Sequence, residues 1–435
     1  MAELKITPKF SALIPLFVFV GTFLGVGIYQ NDFYALPAPI AVIVGIVVAF
    51  ILFRQSINAK IRTLLKGCGD DKILTMCLIY LLAGAFAAIT NATGSVDAIV
   101  NMGLDFIAIE YIYMGIFIIA GFLSVSTGTS VGAIVALAPI VVGFAANSSA
   151  DLAILCGALL GGSMFGDNLS VISDTTIAAT QSLGTKMSDK FKQNIKIAVP
   201  AALGTIAILV FQGTDLTASA ATAVSYNYDV LKITPYILVI LLSILGLNVF
   251  VTLFLGVLAA GVLGISYGDF TLLESTRIAY EGFTNMTEIF LLSLLTGGLA
   301  ALVARNGGIE FILVSIKKLI KNRKTAELGI ATLVSTINMA IANNTVSIII
   351  AGPIAKTIND EYKLDNKKTA SILDIFACIV QGLLPYGAQV LMILSFSNGK
   401  IDYLDLMGNT WYLLLLLVYT VLFITLNPMR KPNLK

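Results

Sequence analysis

Apolar runs long enough to cross a bilayer recur from residue 10 to residue 427 of this 435-residue chain. Crossing the hydrocarbon core takes about 20 mainly apolar residues in a helix. Hydrophobic residues make up 57% of the chain, charged residues make up 12%, and the mean hydropathy is +0.93. Because backbone groups in lipid must be hydrogen-bonded within the segment, the runs predict helices. We therefore expect one all-α polytopic membrane domain.

Residue types that often transfer protons or bind transition metals are scarce. Histidine is absent, so a proton carried near neutral pH would be carried by a carboxylate. The cysteines lack metal-type spacing and predict packing roles; they are Cys68, Cys77, Cys156 and Cys378. The sequence indicates no cofactor and no partner among nucleic acids.

The chain contains an internal repeat. "GAFAAITNATGSVDAI" at 84–99 aligns with "GGLAALVARNGGIEFI" at 297–312. At nearly the same offset, about 213 residues, "STGTSVGAIVALAPI" at 126–140 aligns with "IANNTVSIIIAGPI" at 341–354. The alignment predicts a duplicated fold.

The repeat divides the chain into a first copy at residues 1–212 and a second copy at residues 213–435. Each copy contains five predicted crossings. In the first copy they lie at about 10–29, 36–53, 73–92, 151–181 and 194–212. In the second copy they lie at about 233–247, 248–266, 286–305, 371–397 and 410–427. The predicted fold thus has ten spans.

One further apolar run in each copy, at 111–146 and 327–356, is interrupted in its middle by polar residues. Each run is either one broken helix or a re-entrant hairpin. If both are hairpins, 24 of the 27 lysines and arginines fall on one side, as cytoplasmic loops require. If both runs crossed the membrane fully instead, the lysines and arginines would no longer fall mainly on one side. We therefore expect hairpins.

Five crossings per copy place the second copy upside down relative to the first, a plan typical of secondary transporters. We therefore expect two inverted repeats of five transmembrane helices, each with a re-entrant hairpin and a broken helix. Both termini are expected in the cytoplasm, with the chain in a bacterial-type inner membrane and surrounded by lipid.

Four polar interruptions lie within the apolar runs, two in each copy. They are "STGTS" at 126–130, "GDNLSVISDTT" at 166–176, "ANNTVS" at 342–347 and "QGLLPYGAQ" at 381–389. Irregular backbone at membrane depth is tolerated where it lines a cavity or is enclosed by protein. By repeat symmetry the four interruptions should meet near the bilayer midplane, and they predict the transport site.

The residue types at these interruptions suit a small hard cation. Hydroxyl, amide and carbonyl oxygens bind such ions, and open helix ends favour ions of either sign. The alternative for "STGTS" is that its hydroxyls bond to the backbone or to neighbouring helices.

Asp167, Asp174 and Asp374 lie within apolar stretches. A charge at the bilayer centre costs roughly 2.5 to 3.5 kcal/mol on insertion scales, which suggests a function. For Asp167 and Asp374 the alternative is a helix cap or an ion pair. Asp97 and Glu310 lie at the edges of the apolar runs and are interpreted as solvated charges.

A proton and a sodium ion can compete for one carboxylate in a partly dry pocket. This competition suffices for antiport if the site changes sides mainly when it is loaded. Asp174 is the predicted shared carboxylate.

The motifs "STGTSVG" and "GDNLSVISDTT" resemble the two signatures of the NhaC-type sodium/proton antiporters of the ion transporter superfamily. "ANNTVSIIIAGPIAK" and "LLPYGAQ" in the second copy are similar as well. The resemblance covers residues 10 to 427. It implies a scaffold of the first three spans of each copy, a moving part with hairpins and broken helices, elevator-like alternating access and a homodimer.

The resemblance also implies a set of binding residues. They are Thr127, Thr129, Ser130, Asp167, Ser170, Asp174, Thr175, Asn343, Asn344 and Thr345. The second copy adds Asp374, within an apolar stretch, and Gln389, at the end of its last interruption, and sodium is expected at Asp174, Thr129 and Asn344. The sequence departs from the signatures at Val131, where tryptophan is frequent, and at Val171, where proline is usual.

Three other functions fit parts of the sequence. A sodium-coupled or proton-coupled transporter of a small organic solute, an amino acid or a carboxylate, could use Asn343, Asn344 and helix N-termini to hold a carboxylate. An intramembrane aspartyl protease needs Gly-x-Gly-Asp, but Met164 stands at the first glycine. An ion channel fits inverted repeats with broken helices less well. The prediction is therefore a transporter and not an enzyme.

Overall fold

The computed structural model describes residues 7–30, 36–106, 108–170, 173–214, 216, 228–245 and 247–426. Within these ranges the chain forms helices joined by turns, and no strand. This confirms the predicted all-α class.

The helices of the first copy are α1 (Ile14–Gln30), α2 (Ala38–Leu52), α3 (Ile57–Cys68), α4 (Asp71–Ala92), α5 (Ser95–Phe106), α6 (Ile112–Thr127), α7 (Ser130–Asn147), α8 (Leu152–Leu169), α9 (Asp174–Leu183) and α10 (Met187–Gly213). Those of the second copy are α11 (Thr234–Ile244), α12 (Val249–Tyr267), α13 (Leu272–Asn285), α14 (Thr287–Arg305), α15 (Gly308–Leu319), α16 (Arg323–Ile341), α17 (Asn344–Glu361), α18 (Asn366–Leu383), α19 (Ala388–Ser397), α20 (Tyr403–Gly408) and α21 (Trp411–Leu426).

Nine helical segments in the described residues are long and apolar enough to cross a membrane, and three shorter apolar helices accompany them. Two of the nine, Ile109–Ser126 and Ser130–Asn147, are the arms of the first predicted hairpin. The remaining segments coincide with the ten predicted spans. The stretches at 54–72 and 267–285, which lie between predicted spans, contain the amphipathic helices α3 and α13.

The two copies pack through matching contacts. Helix α4 packs on α13 at Gly84 and Gly282, where a Cβ on Gly84 would lie 2.1 Å from the Gly282 carbonyl oxygen. In the related contact α3 packs on α14, and a Cβ on Gly67 would lie 2.4 Å from the Gly297 carbonyl oxygen. Only glycine lets these backbones approach so closely.

Both predicted hairpins form as pairs of packed helices with a tight turn at the tip. Helix α6 ends at Gly128, which has φ 71°, before α7 begins. Helix α16 ends at Ala342, which has φ 54°, before α17 begins. The left-handed conformation suits glycine and strains alanine, so the same turn is made at unequal cost in the two copies.

Contacts join some of the segments that are rich in lysine and arginine. Arg305 Nη1 donates to Thr63 Oγ1 at 2.7 Å, which joins α14 to α3. Lys367 pairs with Asp189 at 3.0 Å, which joins the start of α18 to the start of α10. Each contact joins two segments that the hairpin interpretation places on the same side.

Two lysines within these segments are buried and paired rather than exposed in loops. Lys190 is 0% exposed and pairs with Asp374 at 2.8 Å. Lys368 is 4% exposed and pairs with Glu327 at 2.7 Å. Counting basic residues by position missed them because the count takes no account of partners. The terminal residues 1–6 and 427–435, whose side of the membrane we predicted, lie outside the described residues.

Candidate functional site

The four polar interruptions meet around one cavity of about 470 Å³. Nine of the predicted site residues line it: Thr129, Ser130, Asp167, Asp174, Thr175, Asn343, Asn344, Thr345 and Gln389. Its wall also includes Asp71, Thr75, Asn248 and Gln381, which our site prediction had left out. Residues from both copies thus build a single site.

One chain of hydrogen bonds runs through all four interruptions. Ser130 Oγ, at the first hairpin tip, donates to Asp167 Oδ2 on α8 at 3.1 Å. Gln389 Nε2, at the start of α19, donates to Ser130 Oγ at 3.0 Å. Gln381 Nε2 on α18 donates to Gln389 Oε1 at 3.0 Å and to the Ala342 carbonyl oxygen of the second hairpin tip at 3.2 Å. The chain ties the two copies together at the carboxylate.

Three helices begin at the cavity with a side chain capping the first turn. Thr129 Oγ1 accepts from the Gly132 amide at 3.4 Å at the start of α7, and Asn343 Oδ1 accepts from the Val346 amide at 3.0 Å at the start of α17. Ser173 caps α9 in the same way. Helix N-termini carry partial positive charge, so they stabilise negative charge in the cavity.

Asp167 is the buried carboxylate of this cavity. It is 4% exposed, and its described partners are hydroxyls: Ser130, and Thr175 Oγ1 at 3.5 Å from Asp167 Oδ1. Hydroxyl groups can donate to a carboxylate and can also turn their oxygen toward a cation. The position therefore suits exchange between a proton and a metal ion.

Asp174 is not buried, contrary to our expectation for the shared carboxylate. It is the first residue of α9 and is exposed to the cavity. A carboxylate at a helix N-terminus is stabilised by the helix dipole and, here, by water. The sequence could not show which of Asp167 and Asp174 is buried, because both lie in one apolar run. Which end of the interruption faces water depends on how the helices pack.

Asp374 does not line the cavity. It is 0% exposed and pairs with Lys190, so the ion-pair alternative for this residue is what the structure shows. Asn194 Nδ2 also donates to Asp374 Oδ2 at 2.7 Å. A sequence signal for these partners existed: Lys190 and Asn194 lie four residues apart, on the face of α10 that continues into buried Ile197 and Ala198.

Of the two remaining predicted residues, Ser170 does not line the cavity. Ser170 is buried, and its Oγ donates to the Val125 carbonyl oxygen at 3.0 Å, which fastens the end of α8 to α6. The side chain of Thr127 lies outside the described residues.

Part of the cavity lining is exposed. Asp71 and Thr75, both exposed, line the cavity at the start of α4. A second cavity of about 260 Å³ lies where α19 meets α13, and there Ser395 Oγ donates to the Asn285 carbonyl oxygen at 3.3 Å.

The sequence of the chain is similar to known proteins along most of its length. It is 23% identical over 369 residues to the Na(+)/H(+) antiporter NhaC of Bacillus subtilis (strain 168), across 77% of this chain and 80% of the relative. It is 23% identical over 431 residues to the malate-2H(+)/Na(+)-lactate antiporter of the same organism, across 89% and 91%. It is 25% identical over 422 residues to the arginine/ornithine antiporter ArcD of Halobacterium salinarum, across 88% and 85%.

The model of one family, described as the Na+/H+ antiporter family, matches the chain twice. The matches cover residues 7–214 and residues 214–427, one for each copy of the repeat. Fold, duplicated sequence and relatives agree, and the chain belongs to the Na+/H+ antiporter family.

Proposed function

We propose that this membrane antiporter exchanges sodium ions for protons by alternating access, and that the two ions compete for the carboxylate of Asp167. The observation that supports this assignment is the burial of Asp167 at the cavity, with hydroxyl partners and no lysine partner among the described residues. The family and its relatives are transporters, so the chain is a transporter and not an enzyme.

The exchange rests on the two loaded states having the same charge. A protonated Asp167 is neutral, and an ionised Asp167 with a bound sodium ion is neutral as well. Ser130 donates to the carboxylate when no cation is bound, and its oxygen can face a sodium ion when one is. An empty, ionised site carries a buried charge, whose cost disfavours movement without a load.

The division of the chain supports an elevator-like movement. Hairpins and broken helices, α6–α9 and α16–α19, carry the site, while α4 and α13 pack on each other through glycines. We assign the first group to the moving part and the second to the scaffold. In this assignment the exposed carboxylates of Asp71 and Asp174 attract cations to the cavity. The homodimer stays a prediction.

The test uses proteoliposomes that contain a pH-sensitive dye. An imposed sodium gradient should drive protons in the opposite direction with the unaltered protein. Asp167→Asn should abolish this exchange, because an amide cannot release a proton. Asp174→Asn is the matched control at the same cavity and should reduce the rate without abolishing it. Loss of exchange with Asp174→Asn and not with Asp167→Asn would reverse the assignment.

A second candidate function is antiport of a small organic acid or amino acid. The cavity, at about 470 Å³, is far larger than a sodium ion needs, and helix N-termini at the cavity favour a carboxylate. Two relatives are named for malate and lactate or for arginine and ornithine. Countertransport of radiolabelled carboxylates and amino acids in the same vesicles tests it. Exchange of such a solute without sodium-driven proton movement would replace the first proposal.

A further inference from the structure

Lys190 lies wholly inside the protein, beside the interruption of the first broken helix. Its Nζ is 2.8 Å from Asp374 Oδ2 on α18. It also donates to the Asn168 carbonyl oxygen at the end of α8 at 3.0 Å, and to Thr176 Oγ1 in the first turn of α9 at 2.6 Å. The three protons of the ammonium group thus meet three oxygens from three helices.

These oxygens form the kind of set that binds a small hard cation. A carboxylate, a backbone carbonyl and a hydroxyl are typical sodium or calcium ligands. The carbonyl belongs to the last turn of α8, where the helix dipole adds negative potential. The second carboxylate oxygen, Asp374 Oδ1, is buried and accepts no hydrogen bond from the described residues. The ammonium group therefore stands where a bound metal ion could stand.

The described residues contain three buried carboxylates: Asp167, Glu327 and Asp374. Glu327 is paired with Lys368 at 2.7 Å, and Asp374 with Lys190. Asp167 has no lysine or arginine within ion-pair distance among the described residues. Asp71 and Asp174 are exposed to water at the cavity. Among the described residues, Asp167 is thus the one buried carboxylate without an ion-pair partner.

We propose that Lys190 is a resident cation that keeps Asp374 neutralised throughout the cycle, so that the core exchanges one cation charge, at Asp167. This inference rests on the proposed sodium/proton exchange. It goes further by giving the number of sodium ions exchanged per proton. Each cycle moves one sodium ion one way and one proton the other way, and no net charge crosses the membrane. Lys190 is a positioning residue: it is not part of the described cavity lining, and its ion pair is with Asp374.

The first experiment measures charge movement with the unaltered protein. Proteoliposomes are loaded with sodium, and potassium with valinomycin sets the membrane potential at zero or at roughly 100 mV. We expect the initial rate of sodium-driven proton movement to be the same at both potentials. A rate that changes several-fold with potential overturns the one-for-one stoichiometry but leaves exchange intact. Absence of any sodium-driven proton movement contradicts the proposed function instead.

The second experiment removes the lysine that pairs with Asp374. Lys190→Met keeps much of the side-chain volume and removes the charge, so Asp374 becomes a second place for sodium. We expect the sodium dependence of transport to steepen, with a Hill coefficient rising from about one toward two. Exchange stays electroneutral, because two sodium ions then replace two protons. The double variant Lys190→Met with Asp374→Leu should return the Hill coefficient to that of the unaltered protein.

Lys368→Met is the matched control. It removes the other buried ion pair, Lys368 with Glu327, which lies outside the polar interruptions. It should lower thermal stability and leave the Hill coefficient and the potential dependence unchanged. If Lys190→Met behaves like Lys368→Met, Lys190 is only structural and the proposal fails. If Lys190→Met does not fold, the potential measurement on the unaltered protein still decides the stoichiometry.

Discussion

The two copies of the repeat bring the same backbone to the cavity but different side chains. Helices α8 and α9 begin 214 positions before α18 and α19, so Asp167 corresponds to Gln381 and Thr175 to Gln389. The internal contacts correspond too: Thr175 reaches Asp167 at 3.5 Å, and Gln381 reaches Gln389 at 3.0 Å. Duplication supplied the shape of the site twice, while only the first copy carries a carboxylate.

This difference teaches how a symmetric fold can hold an asymmetric charge. The amide of Gln381 is close in size to a carboxylate side chain, and it donates to the neighbouring hairpin at the Ala342 carbonyl oxygen. It fixes the geometry without adding charge or a proton. A carboxylate in both copies would place two like charges in one buried site, which is costly.

The largest effect should come from making the copies alike. Asp167→Gln places an amide in both copies and removes the exchangeable charge. An amide can neither release a proton nor neutralise a sodium ion, so sodium-driven proton exchange should be abolished, as with Asp167→Asn. Adding Gln381→Asp to this variant moves the carboxylate to the related position and should restore part of the rate. No recovery in the double variant would show that the two positions are not equivalent.

The next largest effect is expected from removing the Ser130 hydroxyl, which is hydrogen-bonded to residues of both copies. Ser130→Ala removes the donor to Asp167 and the acceptor for Gln389. A hydrogen bond to a charged group contributes about 1.5 to 3 kcal/mol, so the apparent sodium affinity should weaken by about tenfold or more. Sodium titrations of exchange measure it. Ser126→Ala, whose hydroxyl is exposed and bonds within α6, serves as the control and should change little.

A smaller effect is expected in the scaffold, where the copies match best. Gly84→Ala places a methyl group against the Gly282 carbonyl oxygen, and such overpacking costs about 1 to 3 kcal/mol. Gly25→Ala, at a position with nothing within 4 Å, should be neutral. Thermal unfolding in detergent compares them. Equal stability of the two variants would mean that α4 and α13 are packed less closely than described.

The smallest effects should appear at the hairpin tips. Gly128→Ala forces a Cβ into the left-handed conformation and should destabilise the protein by about 1 kcal/mol. Ala342→Gly relieves the same strain in the second copy and should stabilise by less than about 1 kcal/mol, since glycine loses more entropy on folding. Opposite signs in thermal unfolding are the expected result, and equal signs would contradict the comparison of the two turns.

Much of the fold could be predicted because its signals are local. Apolar length gives the spans, and polar residues inside those runs give the hairpins and broken helices. The lining of the cavity followed from repeat symmetry. The burial of Asp167 rather than Asp174, and the pairing of Lys190 with Asp374, depend on helices distant in sequence. The sequence could not identify Asp71 and Asn248 as cavity-lining residues, because polar residues at the ends of spans are common.

The pairing of Lys190 with Asp374 also has a consequence for biosynthesis. The first copy is made and inserted before Asp374 is synthesised, so Lys190 then lacks its partner, and Ser130 lacks Gln389. An unpaired charge cannot remain buried at low cost. The α8, α9 and α10 segment must therefore stay hydrated, or near the membrane surface, until α18 arrives. Synthesis of the second copy supplies Asp374, and Lys190 can then be buried as an ion pair.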